Sequence, residues 1–100
     1  MERKDCPVER TLDVIGGKWT VLLLHELQGG TRRFGELRAA LPGISPKTLT
    51  ERLRTLEEQR IVERTIHPEI PPRVEYALTE RGRTLGGILD AMLEWGLRWT

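Results

Sequence analysis

The chain has 100 residues, of which 38% are hydrophobic and 31% are charged, and its formal net charge is +1. This size and composition predict one compact domain, residues 1–100, and exclude a second. The longest apolar run extends only from Val21 to Leu24, so we expect no membrane span, no secretory leader and a location in the cytoplasm.

Two helices are predicted in the first third of the chain, Pro7 to Ile15 and Lys18 to Leu27, with Gly16-Gly17 between them. In the second helix, apolar residues recur at the spacing of a core-facing stripe. They are Trp19, Leu22, Leu23 and Leu27, with Val21 and Leu24 beside them. We expect this helix to be buried on most sides, and Trp19 to be a core or subunit contact rather than a ligand platform.

A helix-turn-helix is predicted next. Phe34, Leu37 and Leu41 keep helical spacing until Pro42-Gly43 ends the helix, and a second helix, 45–59, follows. Its Leu49, Leu53 and Leu56 lie along one side and would anchor it to the domain. Ser45 is the predicted N-cap, and Pro46 occupies the first helical position, where its missing N–H costs nothing.

The other side of this second helix and its first residue are cationic or rich in hydroxyl groups. They comprise Ser45, Lys47, Thr48, Thr50, Glu51, Arg54 and Thr55. Such a set suits DNA phosphates and base edges, with Arg54 and Lys47 as candidates for guanine or phosphate. A solvated face is the alternative, and it would be preferred for an isolated helix. The flanking elements favour DNA.

Two strands, Ile61 to Ile66 and Val74 to Leu78, follow this helix. The segment 67–72 between them contains three prolines and predicts a stiff hairpin tip, a wing, with Arg73 at its base. Arg64 and Arg73 could reach the DNA backbone or minor groove, or could be ordinary surface arginines. The fold class is thus mainly α with a small β wing (α+β), a winged helix-turn-helix in the order α-α-α-α-β-β-α.

The last helix, predicted to start at Thr79 as N-cap, is too apolar for one buried side. Its candidate dimerisation residues are Leu85, Ile88, Leu89, Met92, Trp95 and Trp99. Exposed apolar surface of this extent marks an interface, so we expect a twofold homodimer built by this helix and the first one. The alternative is a helix that folds back on its own domain.

Short motifs are spaced along nearly the whole chain. They are Cys6-Pro7, Ile15 to Trp19, Arg33-Phe34, Glu36-Leu37, Leu41 to Ser45, Lys47, Leu49-Thr50, Arg52-Leu53, Leu56-Glu57, Val62 to Arg64, Pro72, Val74 to Tyr76, Leu78-Thr79, Gly82 and Leu85. In these motifs the chain resembles the HxlR-type winged-helix transcription regulators, relatives of the MarR group. The resemblance implies a homodimeric repressor or activator on a roughly palindromic operator, with the wing on the flanking backbone.

The chain departs from that family at one junction. Gln59-Arg60 stands where the family usually has a glycine that closes the helix in the left-handed conformation. We therefore expect that Arg60 accepts backbone strain or that the helix ends differently.

Cys6, the only cysteine, lies at a helix start near Arg3 and Lys4, a setting that increases thiol reactivity. In some members of the resembling family this cysteine senses electrophiles or oxidants, so an oxidant or small-molecule effector is a hypothesis here. The alternative is a partly buried cysteine that acts as a small hydrophobe or cap.

Other function classes have less support. His25 and His67 are the only histidines and have no nucleophile or acid partner at a recognisable spacing, so we expect no enzyme. We expect no metal site and no cofactor either, because Cys6 and the histidines match no zinc spacing. A winged helix used for protein contact is the closest alternative, but the exposed face lacks aromatic anchors.

Overall fold

The structure, a computed structural model, describes residues 6–100. Within this range the chain forms six helices and a three-stranded sheet. In chain order the elements are α1 (Pro7–Ile15), α2 (Lys18–Gln28), β1 (Arg32–Arg33), α3 (Phe34–Ala40), α4 (Pro46–Glu58), β2 (Val62–His67), β3 (Arg73–Leu78), α5 (Glu80–Arg83) and α6 (Gly86–Trp99).

The core lies where α2, α3 and α4 meet the sheet. The predicted apolar stripes converge there: Leu49, Leu53 and Leu56 of α4 are all fully buried, and Ile44 is buried in the turn before α4. The stripe of α2 supplies Leu23, Leu24 and Leu27, whereas Leu22 stays exposed. The leucines therefore anchor α4 by one side, as its spacing predicted, and leave the other side outside the core.

The sheet is antiparallel, with the strand order β1-β3-β2. Val62 pairs with Leu78, Arg64 with Tyr76, and His67 with Arg73. Since directly paired residues share a face and successive residues along a strand point to opposite faces, Arg64 lies on the same face as the buried Tyr76. Residues 68–72 form the turn between β2 and β3, slightly shorter than the predicted tip.

Two features refine the predicted element order. β1 is a strand of only two residues that pairs with Tyr76 and Glu75, too short to leave an alternation in the sequence. The last helix is also broken: α5 begins at the predicted N-cap, where the Thr79 hydroxyl accepts the Gly82 N–H at 2.9 Å, and a turn separates it from α6. Gly86 and Gly87 lower helix propensity at this break.

The junction after α4 keeps helix-closing geometry without glycine. Arg60 has φ of +60°, the left-handed region, so of the two alternatives for this junction the chain adopts the first, in which Arg60 accepts the strain. The Ile61 N–H donates to the Leu56 carbonyl at 2.9 Å, and the Arg60 N–H donates to the Glu57 carbonyl at 3.0 Å. This pair of bonds is the Schellman arrangement.

The chain then returns close to the same junction. The Thr79 N–H donates to the Ile61 carbonyl at 3.0 Å, and a Cβ on Gly82 would lie 2.1 Å from that carbonyl oxygen. Only glycine fits this approach, so α5 is fixed against the junction that follows α4. None of the helices formed by residues 6–100 has the length and apolarity needed to cross a membrane.

Candidate nucleic-acid interface

The start of α4 is capped by the predicted residue. The Thr48 N–H donates to Ser45 Oγ at 3.1 Å, and the Ser45 hydroxyl donates to Thr48 Oγ1 at 2.9 Å. Both side chains are therefore engaged with each other, and Pro46 follows at the first helical position. The Thr48 hydroxyl keeps its own hydrogen, which it can still donate to a phosphate oxygen.

The side of α4 opposite its leucines faces solvent. Lys47, Glu51, Arg54 and Thr55 are exposed, and Thr50 is half-buried. The Thr55 hydroxyl donates to the Glu51 carbonyl at 3.0 Å, which leaves its lone pairs and its methyl group for an outside contact. The predicted polar face thus exists as a surface, although the helix already uses part of its hydrogen-bonding capacity.

One flank of α4 faces the sheet across a narrow cleft of about 170 Å³. Thr50, Arg54 and Glu57 line it from the helix, at positions that share one side of the cylinder. Arg64 and Tyr76 line it from the paired strands. Arg54 and Arg64 were predicted as separate contacts from separate elements, and the fold places them in one cleft.

The two wing arginines do not form one group. Arg64 lies on the face of the hairpin that α4 covers. Arg73 lies on the opposite face, because it is three residues from Tyr76 on the same strand and an odd separation changes the face. Arg73 is half-buried and its guanidinium lies 3.3 Å from the Glu69 carboxylate. On the same face, His67 Nε2 lies 2.5 Å from Glu75 Oε1.

A second surface, apolar, lies on α1 and α6 away from the sheet. Trp95 and Trp99 are 62% and 67% exposed. Other large exposed side chains of these helices are Val8, Leu12, Ile88, Met92, Leu93 and Leu97. A cavity of about 580 Å³ opens where α1, α2 and α6 meet, lined by Leu12, Val21, Leu22 and Met92 among others.

Two of the six candidate dimerisation residues have a different environment. Leu89 is only 3% exposed and belongs to the core of its own domain, and Leu85 is half-buried against that core. The reason is helical geometry: α6 packs on α2 through the side that carries Leu89, while Ile88, Met92, Trp95 and Trp99 lie on other sides. One face of α6 therefore folds back, and the rest stays open.

Cys6 is the N-cap residue of α1 and is half-exposed. Its side chain makes no capping hydrogen bond, while its carbonyl accepts the Arg10 N–H at 3.0 Å. Arg3 and Lys4, expected beside it, lie outside the described residues. Within residues 6–100 no three His, Cys, Asp or Glu side chains are grouped as a metal site.

Comparison with known proteins identifies the family. A family model described as HxlR-like helix-turn-helix matches residues 14–100. The chain belongs to the HxlR-like helix-turn-helix family. Its relatives are named HTH-type transcriptional regulators, and the chain is accordingly a transcriptional regulator of the winged-helix type.

Individual relatives agree with this HxlR-like assignment. An HTH-type transcriptional regulator of Synechocystis is 52% identical over 94 residues, which are 94% of this chain and 70% of that protein. YybR of Bacillus subtilis, also named an HTH-type transcriptional regulator, is 50% identical over 94 residues, 94% of this chain and 75% of the relative.

Solved structures confirm the fold. The redox regulator HypR in its oxidised form superposes with a TM-score of 0.92 at 49% identity, over 95% of this chain and 98% of HypR. Diamide-treated YodB of Bacillus subtilis superposes with a TM-score of 0.78 at 40% identity, over 94% of each chain. The mainly helical fold with a small sheet, predicted from the sequence, is therefore confirmed.

Sequence reasoning missed two residues of the cleft, Glu57 and Tyr76. Glu57 is followed by another glutamate and is typical of a solvated helix end, so its position on the cleft flank had no sequence signal. Tyr76 could have been found by placing it opposite Arg64 in the hairpin. That placement depends on the register, and the register is set by a five-residue turn whose geometry the sequence does not specify.

Proposed function

We propose that this regulator binds duplex DNA in a sequence-specific manner as a homodimer on a palindromic operator. The helix at 45–59 enters the major groove, and the wing at 67–73 contacts the neighbouring backbone or minor groove. Two such helices in a twofold dimer would reach successive major grooves, so we expect half-sites about 34 Å apart.

The observation that carries this proposal is the asymmetry of α4. Its leucines are fully buried, while Lys47, Glu51 and Arg54 are exposed on the opposite side. A polar, cationic face on a rigidly held helix is suited to base edges and phosphates, and it offers no aromatic or apolar anchor for a protein partner.

The exposed apolar surface of α1 and α6 supports the homodimer. Removing its tryptophan and leucine side chains from water would contribute roughly 25 cal/mol for each Å² that is buried. The surface continues into the cavity between α1, α2 and α6, which a partner helix would fill. We therefore propose Ile88, Met92, Trp95 and Trp99 as dimer contacts, with Leu85 at the edge and Leu89 supporting α6 from inside.

Selection of binding sites from random duplexes tests the proposal directly. We expect an enriched inverted repeat with half-sites about one helical turn apart, and binding that weakens steeply with salt. The affinity should follow log[salt] with a slope near −0.9 for each phosphate contacted. A protein without sequence enrichment and without this salt dependence would instead be a winged helix for protein contact.

A thiol response is a second candidate function, and the position of Cys6 favours it. Cys6 is half-exposed at the start of α1, a helix that we propose for the dimer interface. HypR, 49% identical to this chain, is named a redox regulator, and its structure is known in an oxidised and a reduced form. The structure of YodB is known for the diamide-treated protein. A change at Cys6 would alter the helix pair that sets the spacing of the two recognition helices.

The chemistry is constrained because the chain has a single cysteine. Formation of a disulfide takes one hydrogen from each of two thiols, and the oxidant accepts both hydrogens. The second thiol must therefore come from the partner protomer or from a small thiol. Diamide should therefore change DNA affinity in the native chain and not in Cys6→Ser. Non-reducing electrophoresis distinguishes the disulfide between protomers, which migrates as a dimer, from the mixed disulfide with a small thiol, which migrates as a monomer. An equal response of Cys6→Ser would exclude the thiol mechanism.

A further inference from the structure

We propose that the cleft between α4 and the β2–β3 hairpin binds one DNA phosphodiester, held jointly by Arg54 and Arg64. This inference rests on the proposed DNA binding and specifies the role of two of its residues. It makes Arg54 a backbone contact and leaves base reading to Lys47 and Glu51.

The helix side of the cleft is set by helical geometry. Thr50, Arg54 and Glu57 follow the i, i+4, i+7 spacing and line the cleft together. Arg54 is therefore on the flank of α4 that faces the sheet, whereas Lys47 and Glu51 lie nearer the outermost line of the helix. A helix in the major groove has a phosphate strand along each flank. A wing that reaches the adjacent backbone would enclose one strand between itself and α4.

The sheet side of the cleft supplies a second guanidinium and a buried phenol. Arg64 and Tyr76 are directly paired, so their side chains project from the same face. Tyr76 is only 8% exposed, and none of the hydrogen bonds found among residues 6–100 involves its hydroxyl. The Tyr76 hydroxyl is not among the fully buried polar atoms without a partner. It therefore opens on the cleft and is free to donate to an acceptor that enters it.

The arginines are equally unpaired. Within the described range no carboxylate lies within ion-pair distance of Arg54 or Arg64, although Glu57 lines the same cleft. Arg73, by contrast, is paired with Glu69. Two guanidinium forks against one carboxylate leave a single positive charge, which matches the single negative charge of a phosphodiester. Guanidinium forks and phosphate oxygens also match in geometry.

The test is a salt titration of duplex binding, measured by fluorescence anisotropy on the selected duplex and on an unrelated one. Arg54→Ala and Arg64→Ala should each weaken binding to both duplexes alike, by roughly 10-fold for each protomer of the dimer, as expected for one lost charged hydrogen bond per protomer. Arg54→Ala/Arg64→Ala should lose a total slope of about 1.8, the value for one phosphate in each protomer of the dimer. Arg81→Ala, which removes an exposed arginine of α5, is the charge-matched control and should keep the native slope.

Two further variants give effects that a structural role would not give. Glu57→Gln removes the carboxylate from the cleft and should tighten binding to both duplexes. Tyr76→Phe keeps the buried ring and removes only the hydroxyl, so it should weaken binding while the thermal unfolding midpoint stays near the native value. Weaker binding by Glu57→Gln, or native affinity in Tyr76→Phe, would contradict the inference.

The outcomes separate this inference from the proposed function. A double variant that loses a slope near 3.6, with additive affinity losses, has two independent phosphate contacts in each protomer, and the shared cleft is then excluded while DNA binding stands. Relaxed discrimination at one base position in Arg54→Ala also overturns it. Inorganic phosphate, added at constant ionic strength, should displace the duplex from the native chain and from the double variant to the same extent. If phosphate displaces the duplex from the native chain but not from the double variant, the cleft is instead a site for a free phosphate compound.

Discussion

Replacing Arg60 by glycine should stabilise the protein, because Arg60 closes α4 in the left-handed region at φ of +60°. A side chain with a Cβ pays roughly 1–2 kcal/mol there. Glycine removes this strain but adds conformational freedom to the unfolded chain, which costs roughly 0.5–1 kcal/mol. The difference predicts a gain of about 0.5–1 kcal/mol in the free energy of unfolding. The Schellman hydrogen bonds are made by the backbone and should persist.

Thermal unfolding followed by circular dichroism measures this gain. For a domain of this size, the expected gain corresponds to a rise of roughly 2–6 °C in the unfolding midpoint. All samples should have the same protomer concentration, because a dimer's midpoint depends on it. Arg60→Ala is the matched control, since it removes the same guanidinium and keeps the Cβ, and it should show no gain.

Either of two results would refute this reasoning. An equal rise in Arg60→Ala would attribute the effect to the lost charge rather than to the backbone. A lower midpoint in Arg60→Gly would mean that the arginine side chain stabilises the junction by more than the strain costs. The exposed position of Arg60 leads us to expect neither.

Three other substitutions test the fold and the dimer. Leu53→Ala should lower the free energy of unfolding by about 2–5 kcal/mol in urea titration, and a loss below about 1 kcal/mol would contradict the burial of this side chain. Ser45→Ala should cost roughly 0.5–2 kcal/mol through the lost N-cap, whereas Ser45→Asp should retain most of the stability; equal losses would exclude a capping role. Trp95→Ala should raise the dimer dissociation constant at least roughly 10-fold in sedimentation equilibrium, as for an interface hot spot. The control Arg81→Ala should leave this constant unchanged. An unchanged constant in Trp95→Ala would show that Trp95 is not an interface residue.

The helices could be predicted because their signals are local. The start of α1 at Pro7, the cap at Ser45 and the leucine stripe of α4 each depend on residues within a few positions of one another. At Arg60 the resemblance to the family left two alternatives, backbone strain or a different helix end, and only the structure shows the left-handed conformation. Propensity, capping and helical periodicity act over one or two turns, so a sequence read in short windows contains them.

Contacts between elements could not be predicted in the same way. Leu89 and Trp95 have the same apolar character in the sequence, yet one lies in the core and the other faces solvent, because that choice depends on how α6 packs on α2. β1 exists only because β3 offers a free edge beside it.

The sequence by itself determined that a leucine-anchored helix presents a polar, cationic face, because helical periodicity is a property of neighbouring residues. Only the tertiary structure decided that Arg54 and Arg64 share one cleft over Tyr76, while Arg73 lies on the other face with Glu69. That arrangement depends on the register of the hairpin and on its packing against α4. Both follow from burial summed over the whole domain, which no local pattern encodes.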